Sequence, residues 1–446
     1  MKGTATKALL LVLIFASVAY GQMSFDFCGG GARAEGMGKA FLGVSDDVTG
    51  GSWNPAGIYT IDKPIVGLSW GSLRPRGASN MLVFSNFRHF EHSGSFDNIG
   101  SLNFAAPIRI KGHPFVGSFN YTRNFDVFEN YAYFFAGDVY VDDLRSTVYL
   151  EEATETRLDG GVNSVSLGFG TRLYENISFG LSANVYTGKT VFEQTSFTII
   201  PDAPLDDGMQ VALREHVVTV TDTNKFSGVN FTIGFKYSGE KLGAGLVIKT
   251  PFELAQDFDE SVFSIVYING LPFDDGTDTL YFMDRLTKYE MPWMVGLGLA
   301  YNVKENFLLA ADVEARAFKG RKVKFRESII INPGGDNEEI YVEIDPQWNN
   351  AFVFRFGGEY LLQTGIGEIP LRAGAGACPI PTPNYGELGE TSTATSYGFS
   401  LGTGIHWEQI RFDVAYSLST IERQFWPTLD YTNRNHHLNF SFTGVF

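Results

Sequence analysis

The chain has 446 residues, and its 50 acidic side chains outnumber its 34 lysines and arginines, which gives a formal charge of −16. This balance excludes nucleic acid as a partner, because phosphates need a basic surface. With two cysteines, a mean hydropathy of −0.04 and no apolar run long enough for a membrane-spanning helix after the amino terminus, a disulfide scaffold and a helical membrane bundle are also excluded.

The amino terminus has the layout of a secretory signal peptide. Lysines precede an apolar run over residues 8–19, which ends in a small-residue cleavage motif at 19–21. The run is shorter than the roughly 20 residues of a membrane-spanning helix. We expect export through the Sec route with cleavage near Gly21 and Gln22, so residues 1–21 do not belong to the fold.

Residues 22–62 form a segment of different composition. The stretch from Gly29 to Ile58 is rich in glycine and alanine and shows no alternation of strand length. Asn54 and Pro55 favour a turn, because proline fixes φ and holds the preceding residue extended. We therefore expect a compact unit that precedes the first strand.

Apolar residues recur at every second position along the rest of the chain. In 162–174 and 177–190, and again in 227–238, 290–303 and 409–424, they alternate with glycine, serine, threonine or asparagine. A soluble β-sandwich also alternates in this way. These segments, however, are longer than the usual soluble strand of about five or six residues and suit tilted membrane strands of about 9–11 residues. The small polar side suits a wet or plugged lumen.

Fourteen such segments follow one another, which fits the even strand count of single-chain bacterial barrels. They lie near residues 64–72, 98–110, 114–123, 162–174, 177–190, 227–238, 241–254, 290–303, 306–324, 350–363, 368–379, 396–407, 409–424 and 435–446. The final "HHLNFSFTGVF", ending on Phe446, resembles the carboxy-terminal signal of bacterial outer-membrane barrels.

We therefore predict an all-β fold in which residues 63–446 form a fourteen-stranded antiparallel transmembrane β-barrel. Side chains cannot fill so wide a lumen, so residues 22–62 are predicted to be a hatch, or plug, inside it. The expected location is the bacterial outer membrane, where the chain would be a monomer in contact with lipid and lipopolysaccharide.

Several stretches resemble one known family. The segment "GARAEGMGKAFLGVSDD" followed by "WNPAG" is similar to the hatch of the FadL/TodX/OmpP1 family of outer-membrane transporters for long-chain fatty acids and other hydrophobic compounds. Further along, "LNFAAPI", "MPWMVGLGLAYNVKENFLLAADVEA" and "PLRAGAGACPIPTP" resemble strands of that family in the same order.

The resemblance implies passive uptake. Extracellular loops three and four would catch the cargo, an apolar pocket in the lumen would receive it, and it would leave sideways into lipid where the third strand kinks. Such a route keeps the cargo out of water, where each CH₂ group is less stable by about 0.8 kcal/mol than when it is buried.

The resemblance also assigns residues. Asn54, Pro55 and Ala56 match the hatch motif, for which the alternative is a turn that only folds the plug. The residues expected at the lateral opening are Asn120, Tyr121, Thr122 and Arg123. Thr122 stands where the family has glycine, and the alternative is that Arg123 marks the point where the strand reaches water.

Two further sets are candidates for contact with cargo. The predicted loops near 191–226 and 255–289 hold more apolar surface than exposed loops usually do, although these residues could form the loops' own cores or extended hairpins. The candidates for capture are Phe192, Phe197, Ile199, Phe263, Ile265 and Phe273. The candidates for the lumen pocket are Lys189, Val247, Met294, Leu308, Phe318, Val353 and Leu361. With Lys189 as the only nearby cation, the cargo stays open among a fatty acid, a hydrocarbon and an aromatic compound.

The sequence predicts no enzyme, cofactor or metal site. The histidines show no His-x-x-x-His spacing and the cysteines no Cys-x-x-Cys spacing. Two alternative functions remain. One is a secretion-system barrel adaptor that binds partner proteins. The other is a general porin, which would show opposed acidic and basic rows around an aqueous eyelet.

Overall fold

A computed structural model describes residues 25–83, 86–141, 146–204, 211–269, 271–272, 278–330, 338–385, 391–426 and 429–446. The expected signal peptide with its cleavage site and the capture candidate Phe273 lie outside these residues. Nearly all of the described chain is β-strand.

In the described part of the chain, fourteen antiparallel strands close into a barrel. Each pairs with the next barrel strand, and the last pairs with the first, so that Ile65 lies opposite Val445 and Met81 opposite Leu429. The barrel strands are β1 (Ile65–Val83), β3 (Phe96–Ile110), β4 (His113–Val141), β5 (Ser146–Tyr174), β6 (Ile177–Pro204), β7 (Val211–Ser238), β8 (Leu242–Lys249), β12 (Met294–Lys304), β13 (Phe307–Arg316), β16 (Ala351–Thr364), β17 (Gly367–Tyr385), β18 (Thr391–His406), β19 (Ile410–Trp426) and β20 (Leu429–Val445). They follow the order of the fourteen predicted segments, and the predicted barrel is confirmed.

The alternation of side chains gives the barrel an apolar outer surface. Along β12, Val295, Leu297 and Leu299 are exposed, whereas the residues between them are buried. Exposed aromatic residues lie close to the short turns at one end of the barrel: Tyr174, Tyr237, Tyr301, Tyr360 and Trp407. An apolar belt with an aromatic girdle is the expected surface of a membrane-spanning barrel.

None of the helices in the described residues is long and apolar enough to cross a membrane.

Further strands extend the sheet at the end opposite the short turns. In the described ranges these are β2 (Asn86–Ser93), β9 (Phe252–Ile268), β10 (Leu271–Pro272), β11 (Asp278–Met291), β14 (Val323–Ile330) and β15 (Glu338–Ile344). The predicted loops near 191–226 and 255–289 are therefore mostly paired strands, which corresponds to the alternative of extended hairpins. The reason is that the alternation of threonine and valine over 217–223 continues the strand pattern beyond the lipid.

The chain from Phe25 to the first strand lies inside the barrel, and we call this segment the hatch. It contains α1 (Ala32–Gly36), α2 (Gly50–Trp53) and a 3-10 helix (Gly57–Thr60). Phe41 packs on Trp53 in one buried cluster, and Val48 packs with Ile58 in another that includes residues of the barrel wall. The hatch and the barrel therefore share their hydrophobic cores.

Candidate site in the barrel lumen

The hatch contacts the inner wall of the barrel through inward-facing glycines. These residues, which we call the glycine belt, are Gly170, Gly180, Gly234, Gly245, Gly298, Gly357, Gly374 and Gly402. A Cβ atom at Gly180 would lie 2.2 Å from the carbonyl carbon of Pro55, and one at Gly374 would lie 2.1 Å from the amide nitrogen of Gly38. The wall and the hatch therefore meet backbone to backbone on opposite sides of the lumen.

The Asn54–Pro55–Ala56 motif attaches the hatch to this wall. The buried Asn54 amide donates hydrogen bonds to the carbonyl oxygens of Leu42 (3.1 Å) and of Phe235 in β7 (3.2 Å). Its side-chain oxygen accepts from the amide nitrogen of Ala56 (3.1 Å). The motif thus forms the predicted turn and also bonds to the barrel.

Buried ion pairs attach the hatch on the side of β16, β17 and β19. Arg33 of α1 contacts the buried Glu359 of β16 (2.8 Å) and, within the hatch, the exposed Asp46 (2.6 Å). Arg372 bridges Glu359 and Asp413, with both distances at 2.6 Å. Breaking a buried pair is costly because the remaining charge stays in a poorly solvated site. This network therefore fixes α1 to the wall.

We expect Arg33→Gln to lower the free energy of unfolding by about 1–3 kcal/mol, because it removes a charged hydrogen-bond donor from the buried Glu359, which keeps Arg372 as its partner. The matched control is Arg74→Gln. Arg74 contacts Asp97 at 3.1 Å in an exposed pair, which is worth only about 0–1 kcal/mol. The measurement is the urea unfolding curve of the purified barrel in detergent. Equal losses in the two variants would contradict a buried anchor.

The start of the hatch fills an apolar pocket in the lumen. We define this pocket by its buried wall residues Val162, Tyr186, Phe226, Leu254, Met291, Met294, Phe318, Val323 and Trp348. The ring of Phe25 lies 5.6 Å from that of Trp348, and the ring of Phe27 lies 4.9 Å from that of Tyr186. The two phenylalanines are 2% and 3% exposed. Sequence reasoning missed them, although two phenylalanines spaced by two directly before a glycine run were a usable signal.

The structure separates the candidates for the lumen pocket. Met294 and Phe318 belong to the apolar pocket, whereas Val247 and Leu308 pack against the hatch. Val353 lines a different cavity, described below.

The remaining two candidates, Leu361 and Lys189, lie neither in the apolar pocket nor in that cavity. Leu361 is half-buried near a short turn, where its amide donates to the carbonyl oxygen of Asn306. Lys189 is exposed, so its assignment to the lumen was wrong. It shares the outward face of β6 with Val185, because strand side chains alternate.

Backbone pairing between β3 and β4 ends at the predicted lateral opening. The last paired residues are Ser101 and Thr122, while β4 continues to pair with β5 after a bulge between Arg123 and Phe125. The β4 strand therefore runs over His113–Val141 with a bulge, which is a local bend, and in the described residues it has no backbone pairing with β3 beyond Thr122. We call this place the β3–β4 edge.

Side chains bridge the β3–β4 edge. The amide of Asn98 donates to Asp126 (2.9 Å), and Arg123 donates to the same carboxylate (2.6 Å) while its guanidinium lies 5.3 Å from the centre of the Phe96 ring. We call these four residues the latch. Polar contacts of this kind can separate without breaking the barrel's backbone ladder.

The hatch lies directly behind the β3–β4 edge. A Cβ atom at Gly30 would lie 3.0 Å from that of Ser101, and the side chain of Asn120 donates to the carbonyl oxygen of Val48 at 3.0 Å. Tyr121 instead donates a hydrogen bond to Asn163 in β5 (3.0 Å). Thus Asn120 and Thr122 face the hatch, and Arg123 belongs to the latch.

The capture candidates do not form a single groove. Phe192 is buried with Leu158 and Val220 on the inner face of the extended sheet. Phe197 and Phe263 are exposed on the outer face, where Ile199 and Ile265 are half-buried. Because adjacent residues of a strand point to opposite faces, Phe192 is separated from the other four described candidates, and a capture groove formed by those four stays a prediction.

The chain is similar to known proteins in two respects. A family model described as BamG matches residues 142–364, half of the chain. The fold is similar to that of the P. putida toluene transporter TodX, at 14% identity over 94% of this chain and 99% of that chain, with a TM-score of 0.59.

Two other solved structures are similar. A Pseudomonas aeruginosa FadL homologue has 13% identity over 93% of this chain and 98% of that chain, with a TM-score of 0.56. The Ralstonia pickettii toluene transporter TbuX has 12% identity over 95% and 100%, with a TM-score of 0.56. At these identities the similarity shows a common fold. No curated protein matches the sequence.

Proposed function

The chain belongs to the BamG family, and we propose that it is a passive transporter that takes hydrophobic small molecules up through the bacterial outer membrane. One observation carries this proposal. An enclosed apolar pocket lies inside a barrel whose outer surface faces lipid, and the chain's own Phe25 and Phe27 fill it. Barrels of similar fold include toluene transporters, and toluene is close in size to one of these phenyl groups.

The proposed route uses the contacts described above. Cargo would enter the apolar pocket as Phe25 and Phe27 withdraw, so that one set of apolar contacts replaces another at little net cost. It would then leave at the β3–β4 edge when the latch separates. The Asn54–Pro55–Ala56 motif and the Arg33 ion pairs would hold the rest of the hatch in place meanwhile.

The remaining features of the proposal follow from the outer surface. The apolar belt and aromatic girdle suit a barrel that works as a monomer among outer-membrane lipid and lipopolysaccharide. The cargo class includes aromatic hydrocarbons and fatty acids. A general porin fits less well, because the hatch meets the glycine belt backbone to backbone on both sides of the lumen.

Locking the latch is expected to stop uptake. In a Cys28→Ser, Cys378→Ser background, Asn98→Cys and Asp126→Cys place two thiols where the native side chains lie 2.9 Å apart. Bridging these thiols with a short bifunctional reagent should hold β3 and β4 together. We expect uptake of radiolabelled toluene and oleate by cells to fall to the level of cells that lack the protein.

The matched control crosslinks strands that stay paired. Arg74→Cys and Asp97→Cys in the same background join β1 to β3 at an exposed contact of 3.1 Å, and this bridge should leave uptake unchanged. Uptake that continues through a bridged latch would disprove exit at the β3–β4 edge. If the unmodified chain supports no uptake of either compound and instead retains a protein on purification, the adaptor function replaces the transporter.

A further inference from the structure

The lumen contains a second compartment beside the apolar pocket. It is a cavity of about 350 Å³, a volume in the range of small-molecule sites. The first residues of the hatch separate the two compartments, because Phe25 and Phe27 point into the apolar pocket whereas Asp26 and Cys28 line the cavity. The rest of the cavity wall comes from the β3–β4 edge and from the inner faces of β16–β20.

One side of this cavity is polar, whereas Val127, Val353 and Ile380 contribute apolar surface elsewhere on its wall. Alternate residues of β20 face it, and serines of β18 and β19 complete that side: Asn433, Asn435, His437, Asn439, Ser396 and Ser419. Most charged residues on the wall have an ionic partner, since Arg355 contacts Asp26 (3.2 Å) and Lys39 contacts Glu35 (3.8 Å), while Arg423 donates to the hydroxyl of Thr382 (2.6 Å). The compartment therefore has little uncompensated charge but many neutral polar groups.

Several buried polar atoms of this wall have no hydrogen-bond partner among the described residues. The acceptors are the side-chain oxygens of Asn124, Asn433 and Asn439, and the donors are Nη2 of Arg123 and Nη1 of Arg355. Asn439 is 5% exposed and Arg355 is 3% exposed. Buried polar atoms are normally satisfied, so a group that both accepts and donates is needed to complete this wall.

We propose that this cavity binds a neutral, hydroxyl-rich group, either a free sugar or the sugar head of an amphiphile. A hydroxyl donates to the amide oxygens and accepts from the guanidinium N–H groups. An anion would satisfy only the guanidinium donors, an ammonium only the amide oxygens, and a hydrocarbon neither.

This inference deepens the proposed function and rests on it. The latch residues Asn98, Arg123 and Asp126 line the cavity, so its occupant lies at the proposed exit. A sugar-headed amphiphile could keep its head in the cavity while its alkyl chain passes through the β3–β4 edge into lipid. The cargo class would then include amphiphiles as well as hydrocarbons.

The test compares ligands that share an alkyl chain. The full-length exported protein, purified in an amine-oxide detergent that carries no sugar, is titrated calorimetrically with butyl glucoside, pentanoate and butylammonium. Methyl glucoside serves as the free-sugar probe. We expect the glucosides to bind and the two charged ligands to bind at least roughly tenfold more weakly, since each carries a charge that meets only half of the free groups.

Two substitutions test the wall directly. Asn433→Leu and Asn439→Leu should each weaken butyl glucoside binding roughly threefold to tenfold, as expected for one hydrogen bond. The matched control is Asn184→Leu on β6, which lies outside the cavity and bonds to Asn230 and Thr232. It should leave the affinity unchanged. If a variant fails to fold, the ligand series on the native chain still decides.

Each outcome has a distinct meaning. Equal affinity for methyl and butyl glucoside supports a free sugar, and much tighter binding of butyl glucoside supports the head of an amphiphile. The inference is overturned if no glucoside binds or if pentanoate binds as tightly as butyl glucoside. If the inference is overturned but the native chain takes up toluene, the proposed function stands. If the native chain takes up no toluene, the proposed function and the inference both fail.

Discussion

A variant with Phe25→Ala and Phe27→Ala is expected to bind toluene about tenfold or more tightly than the native chain, a gain of about 1.4 kcal/mol or more. Removing the two rings leaves a space lined by Tyr186, Phe318 and Trp348. A vacant apolar cavity of about 150 Å³ in another protein stays dry and binds benzene. The native chain must first withdraw its own rings, and its apparent affinity is reduced by the fraction of molecules in that state.

The measurement is equilibrium partition of toluene into the purified protein, with Phe356→Ala as the control. Phe356 is 58% exposed on the lipid face, so the same substitution there removes a phenyl group without opening the lumen. Unchanged toluene affinity in the double variant would mean that the pocket does not receive cargo. We also expect the double variant to unfold more easily, since each buried Phe→Ala change costs about 3–5 kcal/mol.

The barrel could be predicted because its physical requirements appear in local sequence. A membrane strand must alternate between lipid and lumen, so Val295, Leu297 and Leu299 had to be apolar while their neighbours stayed small. Counting the alternating segments gave the number of strands, and the absence of alternation before residue 63 gave the place of the hatch segment. These features depend on neighbours along the chain, which a sequence displays directly.

The site could be predicted only in part, because it depends on contacts between distant segments. Asn54 was identified as a turn former, yet its bond to Phe235 joins residues 181 positions apart. The spacing of Phe25 and Phe27 signals that they share a face, but only the folded lumen shows that they fill the apolar pocket. Lys189 is a different case, since strict alternation with Val185 would have placed it on the outer face.

The inward-facing glycines show the same limit. In the sequence, nothing distinguishes each of these glycines from the serines and asparagines that share the polar side of its strand. In the folded chain the hatch approaches so closely that a methyl group has no room at Gly180 or Gly374. Glycine is required at these positions because the hatch packs against them, and the hatch lies more than a hundred residues away along the chain.

We therefore expect the double variant Gly180→Ala, Gly374→Ala to displace the hatch and to convert the barrel into an open pore. The added Cβ atoms would lie 2.2 Å from Pro55 and 2.1 Å from Gly38, on opposite walls. Both contacts are with backbone atoms, which cannot turn aside as a flexible side chain does, and close-packed interiors accommodate such insertions poorly. Because the two clashes push from opposite sides, a small shift of the hatch cannot relieve both.

The measurement is ion conductance of the purified barrel in planar bilayers, together with the sensitivity of cells to a large hydrophilic antibiotic. Gly365→Ala is the control, since a Cβ there has nothing within 4 Å, and a barrel without residues 25–60 gives the conductance of the empty lumen. We expect the double variant to approach that value and the control to stay closed. If the double variant does not conduct ions, the barrel wall has moved to accommodate the added Cβ atoms and the hatch has stayed in place. Backbone contact with the glycine belt would then not be what keeps water and ions out of the lumen.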